Sequence, residues 1–217
     1  MTIREHELLV PRTARYYTLG DVGPAVRDCW MVCHGYGQLA QRFIQLFEPI
    51  ASPERVIVAP EGLSRFYTDV HQREKVGASW MTREHREAEI KDYVAYLDAV
   101  RDQVKGGRLT AFGFSQGAST ASRWTAFGKH KVDRLILWGG ELPPDLDLGP
   151  VAEKFAGVEV VVVRGKHDDY ITPKIVAGIL SRLKDHDIDH RFMEFDGEHQ
   201  LNTPVLTALA SQDPSRL

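Results

Sequence analysis

The chain alternates between short apolar runs and longer stretches in which apolar residues recur every three or four positions. The runs are "CWMVCH" (29–34), "RVIVAP" (55–60), "RLTAFGF" (108–114), "RLILWG" (134–139), "VEVVVVRG" (158–165) and "HRFMEF" (190–195). Their length and β-branched content predict strands. The middle ones lack polar alternation, as parallel strands covered on both faces do. Between them lie helical patterns. Residues 84–104 space Ile90, Tyr93, Val94, Leu97 and Val104 at near-helical intervals and stop at Gly106-Gly107. Residues 116–127 form a stretch rich in small side chains, and residues 173–184 gather Ile175, Val176, Ile179, Leu180 and Leu183 behind Pro173. Asn202-Thr203-Pro204 reads as a cap and first turn of a last helix running to about Ala210. Residues 40–48 set Phe43, Leu46 and Phe47 on one helical face.

This alternation predicts an α/β fold with a mostly parallel central sheet and helices on both faces. The start differs. Residues 4–10 and 15–19 are strand-like and joined by Pro11-Arg12-Thr13-Ala14, which predicts an N-terminal antiparallel hairpin at the sheet edge. Residues 61–83 have no clear period and hold Phe66, Tyr67, His71 and Trp80, so they read as a long loop with a functional role. There is no repeat or linker, and the expectation is one domain over 1–217.

Composition narrows the function classes. With 217 residues, 43% hydrophobic and 26% charged, the chain is composed like an ordinary soluble globule. A net charge of −3 offers no broad cationic field to nucleic acid or anionic lipid. "MTIREHELLV" lacks the apolar core of a signal peptide, and no run is long enough to span a membrane, so a cytoplasmic protein is expected. Cys29 and Cys33 stand four apart on one strand, too distant for a disulfide, and read as buried residues in a reducing compartment. No zinc-like ligand spacing appears, and no metal is expected. An exposed apolar sheet edge leaves a homodimer open.

The chemistry centres on Gly113-Phe114-Ser115-Gln116-Gly117. A bare G-x-S-x-G is weak, but this one lies between a predicted strand and a predicted helix, where a nucleophile elbow must be. Gly113 and Gly117 leave the room such a turn needs. A serine hydroxyl needs an imidazole to take its proton and a carboxylate to orient that imidazole. Both partners should follow at the ends of later strands. Strand 158–165 runs into "GKHDDYITP", which offers Asp168 and its neighbour Asp169, the latter also a candidate cap for the helix near Pro173. Strand 190–195 runs into "DGEHQLN", which offers His199. An oxyanion hole needs two N–H donors. One would be Gln116, after the serine, and the other Tyr36 in "HGYG" (34–37). Phe66, Tyr67, Trp80, Trp138 and Leu142 are candidates for an apolar substrate pocket.

The ordered set H-G-x-G (34–37), G-F-S-Q-G (113–117), G-x-x-D (165–168) and G-x-H (197–199) resembles the phospholipase/carboxylesterase branch of the α/β-hydrolase superfamily, which includes the acyl-protein thioesterases. The resemblance implies Ser115 as nucleophile, Asp168 as acid, His199 as base, and Tyr36 and Gln116 as oxyanion donors. It also implies hydrolysis of a small-molecule carboxylic ester without a cofactor, and connections too short for a large lid. "GASWMTREHREAEI" (77–90) is more similar to bacterial esterases than to eukaryotic depalmitoylating enzymes. Thioesterase or lysophospholipase activity would use the same residues. A ligand-binding protein on a hydrolase fold is the non-enzymatic alternative, which would not require Ser, Asp and His in this order.

Overall fold

Each apolar run becomes a strand in the computed structural model, which describes residues 2–69, 71, 74–104 and 106–211. The strands are β1 (Tyr16–Leu19), β2 (Asp28–Cys33), β3 (Arg55–Pro60), β4 (Ser64–Tyr67), β5 (Val76–Ser79), β6 (Arg108–Phe114), β7 (Arg134–Trp138), β8 (Glu159–Gly165) and β9 (His190–Phe195). The helices are α1 (Ala40–Phe43), α2 (Arg86–Gln103), α3 (Gln116–Phe127), α4 (Ala152–Phe155), α5 (Pro173–Asp185) and α6 (Thr203–Ser211). Seven strands form one sheet in the order β1-β3-β2-β6-β7-β8-β9, all parallel except β1, which runs antiparallel to β3.

The apolar runs still carry a hidden period of two. Cys29, Met31, Cys33, Leu109, Ala111, Leu135, Leu137, Val160 and Val162 face one core with α2, α3 and α5. Trp30, Val32, Phe112, Phe114, Ile136, Trp138, Val161 and Val163 face a second core with residues 40–50 and α6. Both faces are buried, so these positions are apolar, with Thr110 on the second face a buried polar exception. The carbonyls at the end of α6 would lack partners, but Arg55 and Arg134 donate to Ala210 O and Leu209 O at 2.6 and 2.9 Å.

Three expectations are corrected. The N-terminal antiparallel pair exists, but β1 makes it with β3, and residues 4–10 form no strand. Arg4, Glu5 and Glu7 suit a solvated edge, and Pro11 has no N–H for a ladder. The expected helix 40–48 is only α1, continued by a 3-10 segment over Ile44–Ile50. Pro49 lies inside it, and its ring cannot coexist with an α-helical carbonyl four residues earlier. Residues 61–83 are not a bare loop. They hold the antiparallel pair β4–β5, and residues 70, 72 and 73 of the stretch lie outside the described residues.

The sheet order fixes where a site can form. From β2 the chain steps to β3 on one side, and β6 lies on the other. Connections therefore diverge above the C-terminal ends of β2 and β6, leaving a crevice of the kind that binds ligands in open α/β sheets. Cys33 pairs with Gly113 across this point, so the segments after both strands open into it together.

Candidate active site

Ser115 sits between β6 and α3 with φ 54° and ψ −118°. A non-glycine residue in this region costs about 1–3 kcal/mol and persists only where its surroundings impose it. Here they do. A side chain at Gly113 would strike the backbone of Gly117 and Ala118, and one at Gly117 would strike the carbonyls of Cys33 and His34. The Ser115 N–H donates to Trp138 O at 3.0 Å, tying the turn to β7. The side chain is directed into the crevice beside Gly35, whose Cα hydrogen faces Ser115 Cβ with room for no more than a tight contact.

The segment after β8 delivers Asp168. Its side chain is 1% exposed. Oδ1 accepts from the N–H groups of Tyr170 and Ile171 at 2.8 and 3.0 Å, and Oδ2 accepts from His199 Nδ1 at 2.7 Å. Asp169, next in sequence, is exposed. It does not cap α5 either, because Thr172 Oγ1 accepts from Ile175 N–H there. Two backbone donors fix the Asp168 carboxylate through Oδ1, and its bond to Nδ1 orients the His199 ring and leaves Nε2 without a partner among the described residues.

His199 comes from the segment after β9. Its ring lies 4.9 Å from that of Phe114 and 4.6 Å from that of Tyr170. Gly139 backs onto the His199 and Asp168 side chains, and Gly140 onto the Ser115 backbone carbonyl, so a glycine pair after β7 leaves room for both neighbours. Among the described residues no hydrogen bond joins Ser115 Oγ to His199. Such contacts are often long without substrate and tighten when it binds.

The "HGYG" segment forms the facing wall. His34 is buried, donates from Nδ1 to Gly35 O at 2.8 Å and accepts at Nε2 from Gly62 N–H at 2.9 Å. That arrangement requires the neutral ring, and burial pushes its pKa below the ordinary histidine value against the raising influence of Gly35 O and Glu61. The hairpin clamps the wall from outside. Gly37 N–H donates to Ala78 O at 2.9 Å, Ala78 N–H to Gln38 O at 3.1 Å, and Trp80 Nε1 to His34 O at 2.8 Å. The Gln116 side chain reaches the same hairpin, with Nε2 donating to Met81 O at 3.0 Å and Oε1 accepting from Trp80 N–H at 3.2 Å. The Tyr36 N–H has no backbone acceptor among the described residues. Sequence reading gave no role to His34, although a histidine before the glycine loop and after an all-apolar strand was the available signal.

The pocket candidates divide. Phe66 stacks on Tyr36 with ring centroids 5.1 Å apart, and Tyr67 is exposed. Trp80, Trp138 and Leu142 are each 1% exposed. Trp138 packs between Phe112 and Phe195 and donates to Gln200 O, so it sits in the core, as does Leu142, while Trp80 belongs to the core and also lines a cleft with Leu8, Leu63 and Tyr96. No helix among the described residues is long and apolar enough to cross a membrane.

A family model described as the alpha/beta hydrolase fold matches residues 31–160. Among solved structures, acyl-protein thioesterase 2 from Zea mays superposes with a TM-score of 0.73 at 16% identity, covering 91% of this chain and 96% of that one. A carboxylesterase from Mesorhizobium loti gives 0.67 at 19%, covering 92% and 95%. Esterase PE8 gives 0.67 at 21%, covering 92% and 97%. No curated protein matches the chain. The matched segment runs from β2 through the elbow into β8, and with the sheet order and the strained serine it shows that the chain belongs to the alpha/beta hydrolase fold family.

Proposed function

We propose that the protein is a serine hydrolase of the phospholipase/carboxylesterase type, cleaving carboxylic esters through an acyl-enzyme. The observation that carries this reading is a strained Ser115 turn in a fold that also holds the His199 imidazole on a buried Asp168 with both carboxylate oxygens hydrogen-bonded. His199 Nε2 takes the proton of Ser115 Oγ as it attacks the ester carbonyl. The N–H groups of Tyr36 and Gln116 receive the oxyanion, the latter at the positive end of α3. His199 then protonates the leaving alcohol and activates the water that releases the acid. Asp168 holds the tautomer of His199 and stabilises the imidazolium that forms. A thioester would follow the same steps.

A fluorophosphonate probe tests the nucleophile. Wild-type protein should be labelled at Ser115, and Ser115→Ala should not. A folded wild-type protein that stays unlabelled would refute the assignment.

A further inference from the structure

A cleft of about 350 Å³ opens along α3 from Gln116, the residue beside the nucleophile, between residues 81–86 and 143–145. One face of α3 lines it with Gln116, Ser119, Thr120 and Arg123, the i, i+3, i+4, i+7 positions. Its charged lining is Arg83, Arg86, Arg123 and Asp145, three guanidinium groups against one carboxylate.

These arginines are poorly explained by the fold. Arg86 is the first residue of the 18-residue α2, where a cation opposes the helix dipole, and Arg83 lies just before it. The Arg123 side chain is 5% exposed. One of its terminal nitrogens donates to Asp145 Oδ1 at 2.8 Å, and the other approaches the Met81 sulfur at 3.5 Å, a weak acceptor. Asp145 is shared with Arg86. Burial works against its ionisation, yet Arg86 and Arg123 outweigh this and hold its pKa below the usual carboxylate value. Tyr93, buried nearby, offers no charge, since burial pushes its hydroxyl up to about 12 even though Arg123 pulls it down. With Asp145 charged and Tyr93 neutral, the side chains lining the cleft carry three positive charges against one negative, with the Glu89 carboxylate at the rim on Thr82.

We propose that this cleft selects substrates carrying a carboxylate or phosphate remote from the ester, held by Arg86 and Arg123. The inference rests on the hydrolase reading and names its substrate class. From Gln116 to Arg123 is seven residues of helix, about 10 Å. An extended chain gains about 1.2 Å per bond, so the anion belongs about eight bonds from the scissile carbonyl. Asp145 is the resident counter-ion that keeps the two guanidinium groups aligned until the substrate anion joins them.

The test compares the mono-p-nitrophenyl ester of octanedioic acid with its methyl-capped counterpart. A second pair, 8-acetoxyoctanoate and its methyl ester, carries the anion on the alcohol side. In wild type, kcat/KM for the anionic member of at least one pair should exceed that of the neutral member by about tenfold, the effect of one charged hydrogen bond. The ratio should fall towards one in Arg86→Met, and Arg123→Lys should keep part of it. A wild-type ratio of one or less in both pairs, with the neutral esters turned over, overturns the inference and leaves the hydrolase reading standing. A second measurement does not need turnover. Octyl phosphate is titrated into Ser115→Ala protein by calorimetry, with octanol as the neutral comparison. Binding weakened about tenfold by Arg86→Met supports the cleft, and equal affinity in both proteins overturns it. Loss of fluorophosphonate labelling with this binding intact would defeat the hydrolase reading alone.

Discussion

Gly77→Ala places a methyl group where β5 crosses the "HGYG" wall. A Cβ at Gly77 would lie 2.7 Å from Gly37 Cα and 2.8 Å from Gly37 C, and closer still to the Gly37 oxygen. These are backbone atoms and no rotamer relieves them. An ordinary contact needs 3.4 Å or more, so hairpin and wall must part by about an ångström. The bonds joining them are 2.9 and 3.1 Å long, and that separation takes both out of range. Their loss costs about 1 kcal/mol each, or about 4–8 °C in Tm for a chain of this size. The larger effect is on catalysis. Tyr36 lies between Gly35 and Gly37, so the displacement removes its N–H from the oxyanion position. One such donor is worth about 3 kcal/mol, which predicts a fall in kcat of about 100- to 1000-fold with little change in KM. Hydrolysis of a short p-nitrophenyl ester reads kcat and KM, and a thermal melt reads Tm. Gly178→Ala in α5, with open space at its Cβ, is the control and should leave kcat unchanged and raise Tm by about 1–4 °C. If Gly77→Ala lowers Tm as expected but keeps kcat within about threefold of wild type, the Tyr36 wall is not the oxyanion donor.

Two other outcomes follow from the same geometry. Asp168→Asn should lower kcat by about 10³–10⁴-fold by disturbing the His199 tautomer, while Asp169→Asn, on an exposed carboxylate, should change it little; steady-state kinetics that rank them the other way would reassign the acid. Buried neutral His34 should make the protein acid-sensitive. Its folded pKa lies below the unfolded 6.5, so between these values the unfolded chain takes a proton that the folded one refuses, and stability falls as pH falls below about 6.5. Melts from pH 8 to 5 should show a shallower decline for His34→Gln, whose amide can serve both Gly35 O and Gly62 N–H; an unchanged slope would remove His34 as the cause.

The parts of this molecule legible in the sequence are those set by local pattern. β3, β6 and β9 fall on the expected residues because an apolar run bounded by polar ones admits one strand, and α3 begins where the Gly-x-Ser-x-Gly turn must end. The order of Ser115, Asp168 and His199 was readable because loops at one sheet edge recur in chain order. What was hidden depends on contacts between distant segments. The β4–β5 hairpin has no strong apolar alternation, because its register is held by the "HGYG" backbone rather than by a core of its own. Trp80 and Trp138 resembled pocket aromatics because a side chain that turns its indole N–H to a carbonyl inside the core has no distinguishing local pattern. The arginine cleft was equally unreadable, since Arg86 and Arg123 converge only once α2 and α3 pack together.

If His199 is the base proposed above, its placement has a consequence for how activity is gained and lost. It hangs from β9, the terminal strand, which is hydrogen-bonded to β8 alone. During synthesis the chain can build every other strand and still be chemically silent, because the proton acceptor arrives last. In an ageing or heated sample the reverse holds. An edge strand with one neighbour frays before the middle of the sheet, so hydrolysis stops while most of the backbone is still folded. Enzymatic rate is thus a local gauge of one margin of the sheet, and it reports damage there earlier than any signal averaged over the whole chain.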